Sequence, residues 1–253
     1  MTGASSGLGR AVALKLADEG AAVAVNHSRS DSAARDVVDQ IRAVGARGLS
    51  VRADVSSPTA VASMAKEVQR KLGPVEFLVA NAGVTEYVPF EDVRRITKRM
   101  WDRILGVNLV GAFLCVQAVV AQMRAAGSGS IVLVSSNSAF TARGSSIPYV
   151  VSKAGVISLA HTLAHALAPS IRVNAVAPGW MPTPWLDKYL PEEVQARLLL
   201  DDNAVTAVED VAESVVHVLA NESISGSVLL VDGGEGAVEH HASQAAARPE
   251  DRE

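Results

Sequence analysis

Tyr149 and Lys153 stand four residues apart in a stretch of helical period, so a helix there presents them on one face. A phenol, with a reference pKa of about 10, is a poor base at neutral pH, and an ammonium held beside it favours the phenolate. Such a pair can give a proton to a carbonyl oxygen or take one from an alcohol. Near the start of the chain, Gly3, Ser5, Ser6, Gly7, Leu8 and Gly9 lie in a G-x-x-x-G-x-G run that opens directly into a helical segment beginning near Arg10. Glycines allow a tight turn and let a phosphate come close to helix N-terminal N–H groups. The spacing is not the G-x-G-x-x-G of the commoner dinucleotide fingerprint. Taken singly, the tyrosine and lysine read as an ordinary amphipathic helix pair, and the glycine run reads as a turn.

Other reactive residues point to less. His161 and His165 have a spacing that can bind metal, but no carboxylate or cysteine lies near them in sequence. They read as surface or interface histidines, and no metal site is expected. Cys115 lies in an apolar helical run and reads as a small core residue. His240 and His241 sit in a stretch without periodicity and read as solvated.

The elements that must hold these groups alternate along the chain. Short β-branched runs at 22–26, 48–53, 77–80, 130–134, 171–177 and 228–231 are apolar on both faces, as strands of a covered parallel sheet are. Helical patterns fall at 10–19, 31–43, 58–72, 101–123, 149–167 and 208–220. This βα alternation predicts an α/β fold, a Rossmann-type doubly wound parallel sheet in three layers. Without a linker or repeat, residues 1–237 read as a single domain and 238–253 as a frayed tail. Residues 180–203, with Pro182, Pro184 and Pro191, break the alternation and read as an irregular lid.

Composition narrows the function classes. The 253 residues are 49% hydrophobic and 4% aromatic, so one sizeable core built from Ala, Val, Leu and Ile is expected. A net charge of −4, with no long basic run, argues against an electrostatic nucleic-acid binder. No apolar run reads as approaching the roughly 20 residues of a membrane helix, and the opening residues do not read as a signal peptide. One cysteine excludes a disulfide framework and fits a reducing, cytoplasmic compartment.

Read in order, the motifs resemble those of the short-chain dehydrogenase/reductase family in its single-domain branch. Thr2–Gly9 is similar to the T-G-x-x-x-G-x-G cofactor loop, and Asp54-Val55 to the adenine-contacting Asp-Val pair. Asn81-Ala82-Gly83 resembles the N-A-G motif, with Ala80 where asparagine often precedes it. Asn108 matches the helix asparagine of the active site, while Ser136, Tyr149 and Lys153 match the catalytic serine and Y-x-x-x-K. Pro178-Gly179 followed by Thr183 matches P-G-x-x-x-T at the nicotinamide. Six ordered motifs over about 230 residues are jointly specific. The resemblance implies hydride transfer between a nicotinamide and a ketone or secondary alcohol. Tyr149 would be the acid/base and Ser136 would bond the substrate oxygen. Lys153 would hold the nicotinamide ribose, and Asn108 would anchor a proton-relaying water.

Within that resemblance, NAD users usually end the second strand with an aspartate on the ribose 2′-hydroxyl. His27 stands there, followed by Ser28 and Arg29, and an arginine can pair a 2′-phosphate. NADP(H) is therefore expected, with NAD remaining open because Ser6 replaces a basic residue many NADP users carry. The resemblance is greatest to 3-oxoacyl-carrier-protein reductases and related carbonyl reductases. Their two carrier-docking arginines fall near Gly127 and Pro169, with Arg124 and Arg172 close by, so the resemblance supplies no matching arginine at either place and leaves carrier docking open. Trp180, Met181, Trp185 and Tyr189, facing Phe140 and Tyr87, suggest an apolar, aromatic or alicyclic substrate. Two alternatives stay open: an NAD-dependent sugar or polyol dehydrogenase, and a non-catalytic nucleotide-binding Rossmann protein. The resemblance also implies a homotetramer or homodimer joined through the helices at 101–123 and 149–167 and the final strand.

Only Met1 precedes the loop where a strand of about 5–6 residues is expected. The first strand therefore reads as missing from the N-terminus, at the centre of the sheet. Relatives often have valine at Met1, so the reading is an internal GUG codon taken as a start, with about six to ten apolar-rich codons upstream.

Overall fold

Ala34, Val37, Val38 and Ile41 recur at the spacing of one helix face, and they form the buried side of α2 (Asp31–Ala43). Capping residues set other starts. The Ser57 hydroxyl accepts from the Ala60 N–H at 3.3 Å to open α3 (Pro58–Leu72), with Pro58 in its first turn. Thr97 caps α4 (Lys98–Leu105) through the Met100 N–H at 3.3 Å. This is a computed structural model, and it describes residues 1–199 and 205–235. The end of the expected lid, the last two residues of the expected domain and the expected tail lie outside the described residues.

The chain runs α1 (Gly7–Asp18), β1 (Val23–His27), α2, β2 (Gly48–Arg52), α3, β3 (Phe77–Ala80) and α4. It continues through α5 (Gly111–Ala126), β4 (Gly129–Val134), the short α6 (Ser138–Thr141), α7 (Ile147–Leu167) and β5 (Ile171–Pro178). Then come α8 (Pro184–Tyr189), α9 (Glu192–Leu199), α10 (Val208–Ala220) and β6 (Val228–Val231). The helix expected at 101–123 differs in detail. It begins earlier, as α4, and passes through a π-helical turn at Gly106–Val110 before α5. The lid is also more regular than expected, because its described part is built from α8 and α9.

All described strand pairs are parallel. β1 pairs with β2, and β3-β4-β5-β6 form a second sheet in that order. Residues Met1 to Ala4 lie between the two. The Asn26 N–H donates to the Met1 carbonyl at 3.1 Å and the Ala4 N–H to the Asn26 carbonyl at 2.9 Å, while the Thr2 N–H donates to the Val79 carbonyl at 3.0 Å. This short segment therefore pairs with β1 on one side and β3 on the other.

Helices cover both faces of the sheet, giving the three-layer Rossmann architecture. On one face, Cys115, Val116, Val119 and Met123 of α5 and Val156, Ala160 and Leu163 of α7 pack against Ile131, Leu133 and Val173. On the other, Val12 of α1 and Val211, Val215 and Leu219 of α10 pack against Val79, Val132 and Val176. Two helical stretches, Lys98–Ala126 and Ile147–Leu167, are long and apolar enough by length and composition to cross a membrane. This corrects the sequence expectation, which underestimated apolar stretches interrupted by scattered polar residues. Their inner faces pack on the sheet.

Arg172, considered above for carrier docking, has a different task. Its guanidinium donates to the carbonyls of Val218 and Leu219 at 3.2 and 2.6 Å, acceptors left open at the end of α10, and to the Ile224 carbonyl in the following loop at 3.0 Å. Charge-assisted bonds of this kind are worth about 1.5–3 kcal/mol. Arg172→Met should lower unfolding stability by about 2 kcal/mol in urea titration. An unchanged midpoint would show the cap to be idle.

Candidate active site

The glycine loop is held against the end of β3 by reciprocal bonds. The Thr2 hydroxyl accepts from the N–H groups of Asn81 and Ala82 at 2.9 and 3.0 Å. The Asn81 side-chain amide donates back to the Thr2 and Gly3 carbonyls at 3.0 and 3.2 Å. On the other side, Asn26 accepts from the Gly3 N–H at 3.3 Å while donating to the Ala53 carbonyl at 3.1 Å. The approach is so close that a Cβ on Gly9 would stand 2.1 Å from the Gly3 carbonyl oxygen. Gly3 adopts φ +60, which a side chain would strain. The cradle admits only glycine at these positions.

At the other end, α7 carries Tyr149 and Lys153 on one face, as the spacing predicts. Lys153 is buried and donates to the Val134 carbonyl at 2.9 Å, with Nζ 5.7 Å from the Tyr149 ring centroid. Burial pulls its ammonium down to about 8. Burial pushes the Tyr149 phenol up to about 12, outweighing the opposing hydrogen bond with Ser136. Desolvation is the larger influence on the phenol, which is neutral at pH 7. Ser136 follows β4, and its hydroxyl accepts from the Ser138 N–H at 3.2 Å.

Asn108 sits on the π-helical turn, behind the cleft wall. Its oxygen accepts from the Val84 N–H at 2.8 Å, and its nitrogen donates to the Val84 carbonyl and Ser152 hydroxyl, both at 3.0 Å. Both amide protons are thus committed, so the side chain holds the Val84 loop and α7 together. A π-turn at a functional position is a recurrent device.

One cleft of about 960 Å³ joins these parts. It is lined by every cofactor residue named from the sequence: Gly3, Ser5, Ser6, Gly7, Leu8, Gly9, His27, Ser28, Arg29, Asp54, Val55, Asn81, Ala82, Gly83, Pro178, Gly179 and Thr183, together with Tyr149 and Lys153. Ser136 lines it too, whereas Asn108 does not. His27 is buried, its Nε2 3.5 Å from Asp31, and burial lowers its pKa so that it is uncharged. Hydrogen bonds from the Ser56 hydroxyl and N–H, at 2.7 and 2.9 Å, hold the Asp54 carboxyl below its usual range. Trp180, Met181, Trp185 and Tyr189 line the cleft as expected, and Trp185 stacks obliquely between Tyr149 and Tyr189 at 5.8 and 5.1 Å. Phe140 and Tyr87 do not line it; Phe140 is 54% exposed.

Sequence reasoning missed three contributors. Asn26 joins Thr2 in anchoring the loop, Ser135 donates to the Lys153 carbonyl at 2.8 Å, and Arg52 joins Arg29 at the outer end. Arg52 was legible as the last residue of a strand paired with the one ending at His27. The others act through bonds between distant segments that leave no local pattern.

The comparisons with known proteins agree with this geometry. The family model for short chain dehydrogenase matches residues 1–194. Cis-4-hydroxycyclohexanecarboxylate dehydrogenase from Sinomonas cyclohexanicum is 38% identical, covering 94% of this chain and 96% of that protein. The 3-oxoacyl-[acyl-carrier-protein] reductase FabG of Staphylococcus epidermidis is 36% identical over 92% and 96%. A 7α-hydroxysteroid dehydrogenase structure, complexed with NADH and 7-oxo glycochenodeoxycholic acid, superposes with a TM-score of 0.84 at 30% identity, covering 92% of each chain. The chain belongs to the short-chain dehydrogenase/reductase family, oxidoreductases that interconvert CH–OH and C=O with a nicotinamide cofactor.

The lysine's burial has a measurable sign. Lys153 has an ordinary value of 10.5 unfolded and about 8 folded, so the folded chain binds fewer protons between those values. Its charge therefore opposes folding at neutral pH, and that penalty fades as pH rises from about 8 towards 10. In urea titrations, wild type should gain roughly 2 kcal/mol relative to Lys153→Met over that interval. A pH-independent difference would contradict the burial.

Proposed function

We propose that this enzyme is an NADP(H)-dependent carbonyl reductase and secondary-alcohol dehydrogenase, with Tyr149 as its acid/base. The observation that carries the reading is the single cleft. It runs from two arginines, past the glycine cradle, to a neutral phenol beside a serine hydroxyl. When bound, the nicotinamide supplies or accepts the hydride. The loop from Gly3 to Gly9 and the Asn81–Gly83 backbone would hold the pyrophosphate side. Asp54 and Val55 would hold the adenine, and Pro178, Gly179, Thr183 and Lys153 the nicotinamide half.

The proton chemistry belongs to the side chains. Tyr149, protonated at neutral pH, gives its proton to the substrate carbonyl oxygen, and Ser136 donates a hydrogen bond to the same atom. In the oxidative direction the phenolate must form, and the nearby Lys153 ammonium favours it. Asn108 is a positioning residue, holding the wall against which Lys153 is buried.

Arg29 and Arg52 support NADP(H). The Arg52 Nε donates to the Ser28 carbonyl at 3.2 Å, fixing the turn that carries Arg29. A neutral, buried His27 supplies no carboxylate for a ribose 2′-hydroxyl. The Trp185–Tyr189 wall favours an apolar cyclic ketone, and two relatives named for alicyclic substrates agree. Exposed apolar residues Val110, Phe113 and Val151, with Leu229 and Leu230 on β6, support a homodimer or homotetramer. The buried thiol of Cys115 suits a cytoplasmic enzyme.

Assays with alicyclic and aromatic ketones and both cofactors test the reading. NADPH should give at least about tenfold higher kcat/KM than NADH, and Arg29→Ala combined with Arg52→Ala should erase that preference. A preference for NADH would overturn the cofactor assignment. Tyr149→Phe should cut kcat by about 10²–10⁴ while NADPH still binds; undiminished turnover would overturn the role of Tyr149.

A further inference from the structure

The residue after the reactive serine has an unusual partner. Asn137 is buried, its backbone N–H donating to the Pro178 carbonyl at 2.8 Å and its own carbonyl accepting from the N–H groups of Phe140 and Thr141 at 2.9 and 3.1 Å. The backbone is therefore fixed, and only the orientation of the side-chain amide is free. That amide donates through Nδ2 to the Glu235 carboxylate at 2.8 Å. Its oxygen faces the Ser136 hydroxyl, which donates to it at 3.4 Å. Glu235 belongs to the turn after β6, where its N–H donates to the Asp232 carbonyl at 3.2 Å and the Gly234 N–H to the Asp232 side chain at 3.0 Å. Gly179, beside the reactive end, donates through its N–H to the Val231 carbonyl at 2.9 Å and so ties this turn to the cleft.

We propose that Glu235 is a positioning residue for the reaction, using the Asn137 amide to keep an acceptor against the Ser136 hydroxyl. An ionised carboxylate accepts hydrogen bonds and has none to donate, so the amide nitrogen must face Glu235 and the amide oxygen must face Ser136. Flipped, the amide would aim N–H groups at Ser136, which already accepts from the Ser138 N–H. Those donors would compete with the Tyr149 hydroxyl for the serine lone pairs. In the observed orientation, the serine proton is held by one long bond. A substrate oxygen can take that proton over at little cost, since bonds weaken with length. Glu235 never touches the reacting atoms; it sets the polarity of the group that does the orienting.

The inference rests on reading Ser136 and Tyr149 as the proton-handling pair, and its test separates the two. Wild type, Tyr149→Phe, Glu235→Gln, Asn137→Asp and the double variant Asn137→Asp/Glu235→Gln are assayed for kcat, ketone KM, NADPH Kd and Tm. Glu235→Gln should lower kcat about tenfold, because a glutamine can face either end of the amide, with Kd and Tm nearly unchanged. Asn137→Asp should lose at least as much, since it sets two carboxylates together. The double variant should recover to within about threefold of wild type. There the introduced glutamine donates to the carboxylate introduced at position 137, whose second oxygen again accepts from Ser136. Wild-type kcat in Glu235→Gln, or a double variant no better than the poorer single one, overturns the inference. Undiminished turnover in Tyr149→Phe would instead overturn the reading beneath it.

Discussion

The contact between the glycine loop and the end of β3 is the constraint on which the rest depends. Thr2 and Asn81 bind each other through hydroxyl, amide and backbone groups, and Asn26 secures the loop from the opposite side. These bonds replace ladder pairing at the place where the two sheets meet. They require backbone to lie on backbone, which a Cβ at Gly9 would prevent. They also aim the N-terminus of α1 into the cleft, where unpaired N–H groups and the helix dipole favour an anion. A single close approach thus joins the sheets and builds the phosphate end of the site.

The reactive end is governed by burial. Placing an ammonium and a phenol in the same water-poor pocket disfavours charge on both, so Lys153 is pulled down and Tyr149 pushed up. The fold tolerates that cost because α7 is otherwise anchored along Val156, Ala160, Leu163 and Leu167. The backbone carbonyl of Val134, the Ser135 hydroxyl and the Asn108 amide then fix where the two groups stand. The neutral phenol suits a proton donor. A nearby positive charge lowers the barrier to using it in reverse.

Much of this was legible in the chain. Period-2 and period-3.6 patterns placed the six described strands and most of the helices, because both sheet faces are covered and α2, for example, has a clean apolar face. The ordered motifs brought the cleft lining into view before any fold. Less was legible where distant segments meet. Arg172 looked like a surface cation and is a helix cap. Phe140 looked like a cleft wall and points elsewhere, because α6 is a single turn whose direction its own sequence does not set. The π-turn at Asn108 departs from helical period by one residue, too little to show in an apolar run.

By itself, the sequence determined the class of chemistry: a phenol and an ammonium one helical turn apart, a serine hydroxyl, and a glycine run fit to receive a phosphate. Those are properties of residue type and local spacing, which survive in any conformation that keeps the helix. Tertiary structure alone decided how far burial raises the Tyr149 phenol, the commitment of Asn108 to the wall and the facing of Asn137 towards Glu235. Each depends on desolvation or on partners tens of residues away, and none is encoded in the spacing of neighbours.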